Sequence, residues 1–301
     1  MYLTGFADEA ASDIDGQIRA TKELGWKFIE ARAIDGINIT SLSEEKFAEV
    51  CDKLEAAGIS VNCFGSGIAN WAQKITQPPD PSYAEMKRAI PRMHRLGTKF
   101  IRIMSFAVPP EEYDKDWSAE AIKRVKNIVR MAEDGGVICL HENCAGWGSL
   151  SYEHTLRLLE GVNSPALKLV FDTGNPIFDD DVRGPKPYRK QDPWEFYQAV
   201  RQHIVHVHIK DGYLEGERQV FTFPGEGKGR IREIVTDLLK TGYNGGFSIE
   251  PHMAVVYHDQ SVKSSDEIRY RNYIEYGRRF VNLLEEIKKE LAESGQLIKN
   301  G

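Results

Sequence analysis

Residues 167–175 read LKLVFDTGN, an apolar run that ends in an acidic residue and then a turn. The length of the run and its Leu, Val and Phe content are typical of a buried strand. A single Asp at the end of a strand usually caps the next helix. The meaning of Asp172 therefore depends on whether other strands of the chain end in the same way.

Similar apolar runs recur along the chain, each followed by a loop and then by apolar residues at helical spacing. They predict strands at residues 2–7, 27–32, 59–64, 99–106, 137–142, 167–172, 204–209 and 246–251. Helices are predicted between them, for example at 43–58, 82–97 and 118–136. Eight strand–helix units favour an α/β fold, a single (β/α)8 TIM barrel. A doubly wound open sheet is the alternative that this pattern leaves open.

The chain has 301 residues, and barrels of this kind fold as one domain at about 250 residues. Because it shows no linker and no internal repeat, we predict one barrel domain over residues 1–301. The last stretch, about 285–301, is predicted to be a charged surface helix with a short tail.

Composition restricts the class of function. The formal net charge of −6 argues against a nucleic-acid partner, which would require a basic face. No run reaches the roughly 18 apolar residues of a membrane span, so no membrane contact is expected. Four cysteines without a CxxC pair, and an acidic start without a secretory signal, predict a cytoplasmic protein with reduced thiols. The sequence does not determine whether the protein forms a homo-oligomer.

Loop lengths predict which face of the barrel holds the site. The connections from helix to strand are short, whereas those leaving the strands are long, at 65–82, 174–194, 211–230 and 251–271. Long connections inside a compact domain are usually functional. In this fold the strand-to-helix loops meet at the C-terminal face, where barrel enzymes keep their active sites.

Four neighbouring predicted strands deliver a potential metal ligand to that face. The fifth to eighth strands end in Glu142, Asp172, His208 and Glu250, which are 30, 36 and 42 residues apart. By strand alternation, His208 is expected to share the inward face with His206 and Ile204 in the same way as Glu142 shares it with Leu140 and Ile138. We predict that His206 is a core residue or a support for the site.

Three converging carboxylates would repel one another unless a cation joined them. Three oxygen donors and one imidazole suit one divalent metal ion, with Mn²⁺ expected and Mg²⁺, Co²⁺ or Zn²⁺ as alternatives. The purely structural alternative is that each acid caps a helix or forms a salt bridge and that the histidine is a core residue. Four such side chains at matching depth favour the metal site.

The most specific segments are HEN (141–143), FDTGN (171–175), HVHIKD (206–211), PGEGKG (224–229) and SIEPH (248–252). With them the chain resembles the xylose isomerase-like barrels of the sugar phosphate isomerase/epimerase superfamily. The resemblance implies that Glu142, Asp172, His208 and Glu250 bind one divalent metal, commonly Mn²⁺. It also implies that the two glutamates form the acid/base pair of a sugar epimerase.

Two positions depart from the ketose 3-epimerases that the chain resembles. Asn175 occupies a position where those enzymes have His, and Leu214 one where they have Arg. Instead, Lys210 and Asp211 follow His208, as in isomerase, dehydratase and lyase branches. The substrate contacts of a free-ketose 3-epimerase are therefore not all expected here.

The predicted function is a metal-dependent sugar isomerase or epimerase that acts on a small-molecule carbohydrate through an enediolate. The alternatives are a lyase, dehydratase or hydratase acting on keto-sugars, keto-inositols or glycosides with the same site, and a non-catalytic sugar-binding barrel. Glu142, Glu250 and Lys210 are the predicted catalytic residues. The predicted substrate contacts are Glu30, Arg32, Asn175, Trp71, Trp147 and His252, with Phe178 and His258 as further candidates from the loops. The PGEGKG segment lacks the residue order of a phosphate-binding loop and is predicted to be a tight turn near the substrate.

Overall fold

The computed structural model describes residues 1–256, 259, 261–262 and 264–296. Its main sheet has eight parallel strands, which are β1 (Tyr2–Gly5), β2 (Phe28–Ala31), β3 (Ser60–Gly65), β4 (Phe100–Ile103), β5 (Ile138–Glu142), β6 (Leu167–Asp172), β7 (Ile204–Ile209) and β8 (Gly246–Ile249). Their order in the sheet is β1, β8, β7, β6, β5, β4, β3, β2. Because β1 also lies beside β2, the sheet curves into a nearly closed barrel. The predicted TIM barrel is confirmed, and the open sheet is excluded.

A helix follows each strand and packs against the outside of the barrel. The helices are α1 (Ile14–Glu23), α2 (Glu44–Ala57), α3 (Asp80–Leu96), α4 (Ser118–Asp134), α5 (Tyr152–Val162), α6 (Pro193–Val200), α7 (Ile231–Lys240) and α8 (Asp266–Glu293). Helix α2 shows how the sequence sets these bounds. The Ser43 hydroxyl accepts a hydrogen bond from the Lys46 backbone N–H, and Gly58 ends the helix with a φ of 67°.

Residues 285–293, predicted as a separate surface helix, form the last part of α8, which begins at Asp266. One side of this part is buried, because Ile287 and Leu291 belong to the hydrophobic core. Within the described stretches, no helix combines the length and the apolar character needed to cross a membrane.

The fourth strand is shorter than predicted. It ends at Ile103 rather than at residue 106. The chain then bends, because Phe106 has a φ of 64°, and the backbone N–H groups of Met104 and Phe106 donate to the carbonyls of Ile68 and Ala69 in the preceding loop. The apolar sequence pattern continues past the bend because Met104 and Phe106 are buried there as well.

The lower part of the barrel interior is apolar. Cys63, Leu140 and Val170 form a small cluster there, and Val205 packs against it. Ile204, predicted on this face, lies instead in the outer layer between sheet and helices. The reason is a register shift, because Leu169 pairs with Ile204 whereas Val170 pairs with His206.

Two loop structures contribute to the C-terminal face above the strands. A single helical turn, Asn175–Phe178, follows β6. An antiparallel hairpin, Asp211–Glu215 with Arg218–Thr222, follows β7.

The PGEGKG segment folds around the carboxylate of Asp211. The backbone N–H groups of Gly225 and Gly227 donate to Asp211 Oδ2 at 2.8 and 3.0 Å, and that of Gly229 donates to Oδ1 at 2.8 Å. The glycine N–H groups that could bind a phosphate are therefore occupied by an internal acid. This agrees with the prediction of a tight turn rather than a nucleotide site.

Candidate metal centre and active site

The four predicted ligands converge at the C-terminal end of the barrel. Glu142, Asp172 and His208 lie at the ends of β5, β6 and β7, and Glu250 directly follows β8. All four are buried, and one potential ligand atom from each lies within 4.8 Å of the others. The Nδ1 atom of His208 lies 3.2 Å from Glu142 Oε1, 4.0 Å from Asp172 Oδ2 and 3.9 Å from Glu250 Oε2.

Asp172 shows that this group is suited to a cation. Its Oδ1 atom accepts hydrogen bonds from the backbone N–H groups of Gly174 at 2.8 Å and Asn175 at 2.6 Å. Its buried Oδ2 atom accepts no hydrogen bond, although Lys210 Nζ lies 3.0 Å away. A buried carboxylate oxygen without a hydrogen bond, beside two further carboxylates and an imidazole, fits a divalent metal ion.

The charge balance of the buried site leads to the same conclusion. Six buried carboxylates face three buried permanent cations, which leaves three negative charges when the histidines are neutral. The acids are Asp8, Glu9, Glu30, Glu142, Asp172 and Glu250, and the cations are Arg32, Arg102 and Lys210. Burial lowers the pKa of His208, but Glu30 and Glu142 outweigh this effect and raise the pKa to about 10. The site thus attracts positive charge.

Glu30 and His206 orient the imidazole of His208. Glu30 Oε1 lies 3.1 Å from His208 Nε2, and Glu30 Oε2 lies 2.7 Å from His206 Nε2. This leaves His208 Nδ1 facing the other three ligands. Metal-binding histidines typically donate from the second ring nitrogen to a carboxylate in this way. Glu30, a predicted substrate contact, is fully buried with both oxygens bonded to histidines.

Replacing Glu30 with Gln is expected to weaken binding of Mn²⁺ by about 10- to 100-fold, because the charge that fixes the His208 ring is lost. Isothermal titration of the metal-free protein measures this directly. Glu160→Gln, at an exposed position on α5, is the matched control. Equal affinities in the two variants would contradict the orienting role of Glu30.

Two buried arginines pair with the outer oxygens of the two glutamates. Arg102 Nη1 lies 3.0 Å from Glu142 Oε2, and Arg32 Nη1 lies 2.8 Å from Glu250 Oε1. Burial raises the pKa of Glu142, but Arg102 and His208 outweigh burial and lower it to about 2. The pKa of Glu250 also falls well below its usual value despite burial, chiefly because of Lys210. Both glutamates are therefore ionised at neutral pH.

A second convergent group lies beside the first and consists of Glu9, Glu250 and His252. His252 Nδ1 lies 2.9 Å from Glu9 Oε1, and the His252 backbone N–H donates to Glu9 Oε2 at 2.8 Å. Arg32 contacts both Glu9 and Glu250, so this group already holds a buried cation. It places His252 next to a candidate metal ligand, with His252 Nε2 3.7 Å from Glu250 Oε1.

A cavity of about 140 Å³, called here the catalytic pocket, lies beside the four ligands. Five of the predicted catalytic or substrate residues line it, namely Trp71, Asn175, Phe178, Lys210 and His252. Phe178, Phe221 and Gln219 complete its upper wall. Asn175 Nδ2 also donates to Glu142 Oε1 at 3.3 Å, which connects the pocket wall to the metal ligands.

Other predicted substrate residues do not line the catalytic pocket. Trp147 is 2% exposed, belongs to the hydrophobic core and packs edge-on against His154 at 5.1 Å. Arg32 binds Asp8, Glu9 and Glu250 with its guanidinium. His258 lies outside the described residues. Arg102 was not anticipated, although an arginine inside the apolar run of β4 was a visible signal.

His141, the neighbour of Glu142, makes the stability of the fold dependent on pH. The ring is fully buried, its Nε2 atom lies 3.0 Å from Ser105 Oγ, and burial lowers its pKa to about 4. Below about pH 6.5, His141 binds a proton in the unfolded chain, whereas in the folded chain it stays neutral down to about pH 4. The stabilisation from neutral His141 is therefore complete above pH 6.5, and about 3 kcal/mol of it is lost by pH 4.

We expect a metal-free His141→Gln variant to lose less stability than the metal-free wild type between pH 7 and pH 4.5. Denaturant unfolding at the two pH values gives the comparison. Equal losses in the two proteins would show that His141 does not contribute this dependence.

Known proteins share this fold. An inosose dehydratase of Bacillus thuringiensis is 21% identical over 203 residues, which cover 58% of this chain and 64% of the relative, so the match spans a little under two thirds of that protein. A structure of D-psicose 3-epimerase with D-tagatose from Clostridium cellulolyticum superposes with a TM-score of 0.64 and 16% identity, covering 94% of this chain and 99% of the other. A structure of the IOLI protein with a bound zinc atom gives a TM-score of 0.69 at 15% identity, covering 95% and 99%.

The family model described as a xylose isomerase-like TIM barrel matches residues 18–271. That range includes every strand from β2 to β8 and all four candidate metal ligands. The chain belongs to the xylose isomerase-like TIM barrel family.

Proposed function

We propose that the chain is a divalent-metal-dependent sugar isomerase or epimerase, which moves a proton at a carbon next to a carbonyl. The observation that supports this best is the paired arrangement of Glu142 and Glu250. Each has one oxygen held by a buried arginine and the other directed to the shared ligand group. Two ionised carboxylates fixed beside one small pocket are suited to exchanging a proton with a bound substrate.

The two glutamates are three strands apart around the barrel. A substrate carbon between them would lose its proton to one carboxylate, leaving an enediolate. For return to the opposite face, the other glutamate would first take a proton from water and then deliver it, while the first glutamate releases its proton to water. This would invert the centre, which is epimerisation. Return to the neighbouring carbon would interconvert an aldose and a ketose.

Glu142, Asp172, His208 and Glu250 would hold the metal ion. The ion supplies positive charge beside the substrate oxygens and so stabilises the anion left by proton removal. We propose Mn²⁺, because three carboxylates and one imidazole form a mainly hard donor set. Lys210, Asn175 and His252 would bind substrate oxygens from the pocket wall.

Elimination is the second candidate, and Lys210 favours it. Its ammonium lines the catalytic pocket and lies 3.0 Å from both Asp172 Oδ2 and Glu250 Oε2. After proton removal, this ammonium could donate a proton to an oxygen leaving the adjacent carbon, which would give a lyase or dehydratase. The dehydratase names among the curated relatives support the same alternative.

One experiment tests both candidates. The metal-loaded protein is incubated in D₂O with D-fructose, D-tagatose or 2-keto-myo-inositol, and the products are analysed by NMR and mass spectrometry. Deuterium next to the carbonyl with no other mass change supports isomerisation or epimerisation, whereas loss of water supports elimination. EDTA-treated protein is the control, and absence of deuterium from all three compounds would contradict the proposal. A cytoplasmic location and a small-molecule carbohydrate as the substrate belong to the same proposal, which leaves a homo-oligomer open.

A further inference from the structure

A larger cavity lies outside the catalytic pocket on the same face of the barrel. Its volume is about 700 Å³, and it lies between the hairpin that follows β7 and the loop at 179–192 that follows β6. We call this cavity the outer cleft. Its lining includes Tyr113, Phe178, Tyr188, Leu214 and Gln219.

The outer cleft adjoins the catalytic pocket, because Phe178 and Gln219 line both cavities. Phe178 ends the helical turn that begins three residues after Asp172. Gln219 belongs to the hairpin that begins three residues after His208 and pairs there with Leu214. The segments that carry Phe178 and Gln219 are thus direct continuations of strands that end in candidate metal ligands, whereas Tyr113 comes from the loop after β4.

The two cavities differ in what they can hold. Pockets for small ligands usually measure about 300 to 1,000 Å³. The catalytic pocket, at about 140 Å³, falls below this range, whereas the outer cleft, at about 700 Å³, falls within it. A substrate that reacts beside Glu142 and Glu250 can therefore place only its reacting part in the catalytic pocket.

The lining of the outer cleft favours an uncharged ring. Tyr113 and Tyr188 lie with their ring centroids 6.0 Å apart and are both half-buried. Such rings offer faces on which the apolar face of another ring can pack. The lysines of the cleft are already neutralised, because Lys186 pairs with Asp114 at 2.6 Å and Lys190 with Asp180 at 2.8 Å. A phosphate would find no unpaired lysine among these described residues.

We propose that the outer cleft binds a second ring of the substrate. The substrate would then be a two-ring compound in which an oxygen links the reacting sugar to another sugar or to an aryl group. This inference rests on the proposed function, because the reacting sugar is assigned to the catalytic pocket by Glu142 and Glu250. The second ring lies between Tyr188 and Leu214, and Gln219 hydrogen-bonds with the linking region.

Binding to the metal-loaded protein, measured by isothermal titration, tests the proposal with two pairs of probes. Phenyl β-D-glucoside is compared with D-glucose, and lactulose with D-fructose, so that each pair shares one sugar and differs by a ring. In at least one pair the two-ring compound is expected to bind about tenfold more tightly. The pair that shows the advantage identifies the second ring as aryl or sugar.

Tyr188→Ala and Leu214→Ala should each remove most of this advantage and leave the affinity for the single sugar unchanged. Tyr213→Ala is the matched control, because Tyr213 is exposed on the same hairpin and alternates with Leu214. Equal affinities within both pairs, or an advantage that persists in both cleft variants, would overturn the proposal.

The outcome is separable from that of the proposed function, because titration requires no turnover. Ring-selective binding without any deuterium exchange would refute the proposed function alone. Deuterium exchange without ring selectivity would refute the outer-cleft assignment alone.

Discussion

Glu142→Gln and Glu250→Gln are each expected to lower the rate of substrate deuterium exchange by about 10²- to 10⁴-fold, because each removes one of the two proton-transferring groups. The amide is isosteric with the carboxylate, and its single oxygen can either accept a hydrogen bond from the arginine or face the metal, so the fold should persist. Exchange is followed by NMR in D₂O, and Glu160→Gln serves as the control at an exposed site.

Metal content separates the two roles of these glutamates. The amide oxygen of Gln remains a potential ligand, so each variant is assayed at a Mn²⁺ concentration that saturates it, with bound metal measured by atomic emission. Loss of exchange at full metal occupancy identifies the carboxylate as the acid or base. Wild-type exchange rates in both variants would remove Glu142 and Glu250 from the proton-transfer step.

Removal of the metal with EDTA is expected to abolish deuterium exchange and to lower the melting temperature by several degrees. At 100 times its dissociation constant, a ligand of the native state contributes about 2.7 kcal/mol, and 1 kcal/mol corresponds to roughly 2–4 °C in a domain of this order of size. Mn²⁺ should restore both properties. The variant Asp172→Asn should show neither response, because the carboxylate oxygen without a hydrogen bond is replaced.

Metal affinity should also depend on pH. Burial raises the pKa of Asp172 to about 6, although Lys210 opposes this effect. Protons therefore compete with the metal at Asp172 as the pH falls through about 6, in addition to their competition at His208, whose pKa is about 10. The affinity for Mn²⁺ should decrease as the pH falls. Titrations at pH 7.5 and pH 5.5 provide the measurement.

An EDTA-treated protein with the same melting temperature and exchange rate as the metal-loaded one would contradict the metal centre.

The sequence predicted the parts of the site that depend on strand periodicity. Glu142, Asp172 and His208 each end an apolar run, and the parallel arrangement of the strands then places these ends together. The same pattern could not reveal that Glu30 joins His206 to His208, because the two partners of Glu30 are 176 and 178 residues away along the chain. Such a contact depends on the closure of the barrel, which no local pattern contains.

Loop residues were harder to assign for a different physical reason. Trp71 and Trp147 both lie in connections that follow strands, yet Trp71 lines the catalytic pocket and Trp147 lies in the core. The direction of a side chain in an irregular loop depends on its local backbone angles, and the composition of the loop does not set them. The face of Ile204 was predicted wrongly for a related reason. The register shift between β6 and β7 interrupts the alternation of inward and outward side chains, and the sequence pattern does not show where such an interruption lies.

The hairpin after β7 forms a wall of both cavities but contributes none of the four candidate metal ligands. If the proposed function holds, substrate preference and catalytic chemistry are encoded in separate segments of the polypeptide. A chimera that receives this hairpin from another barrel should acquire a new preference while its intrinsic chemistry survives. Evolution could diversify such enzymes by the same route, by exchanging one surface loop at a time.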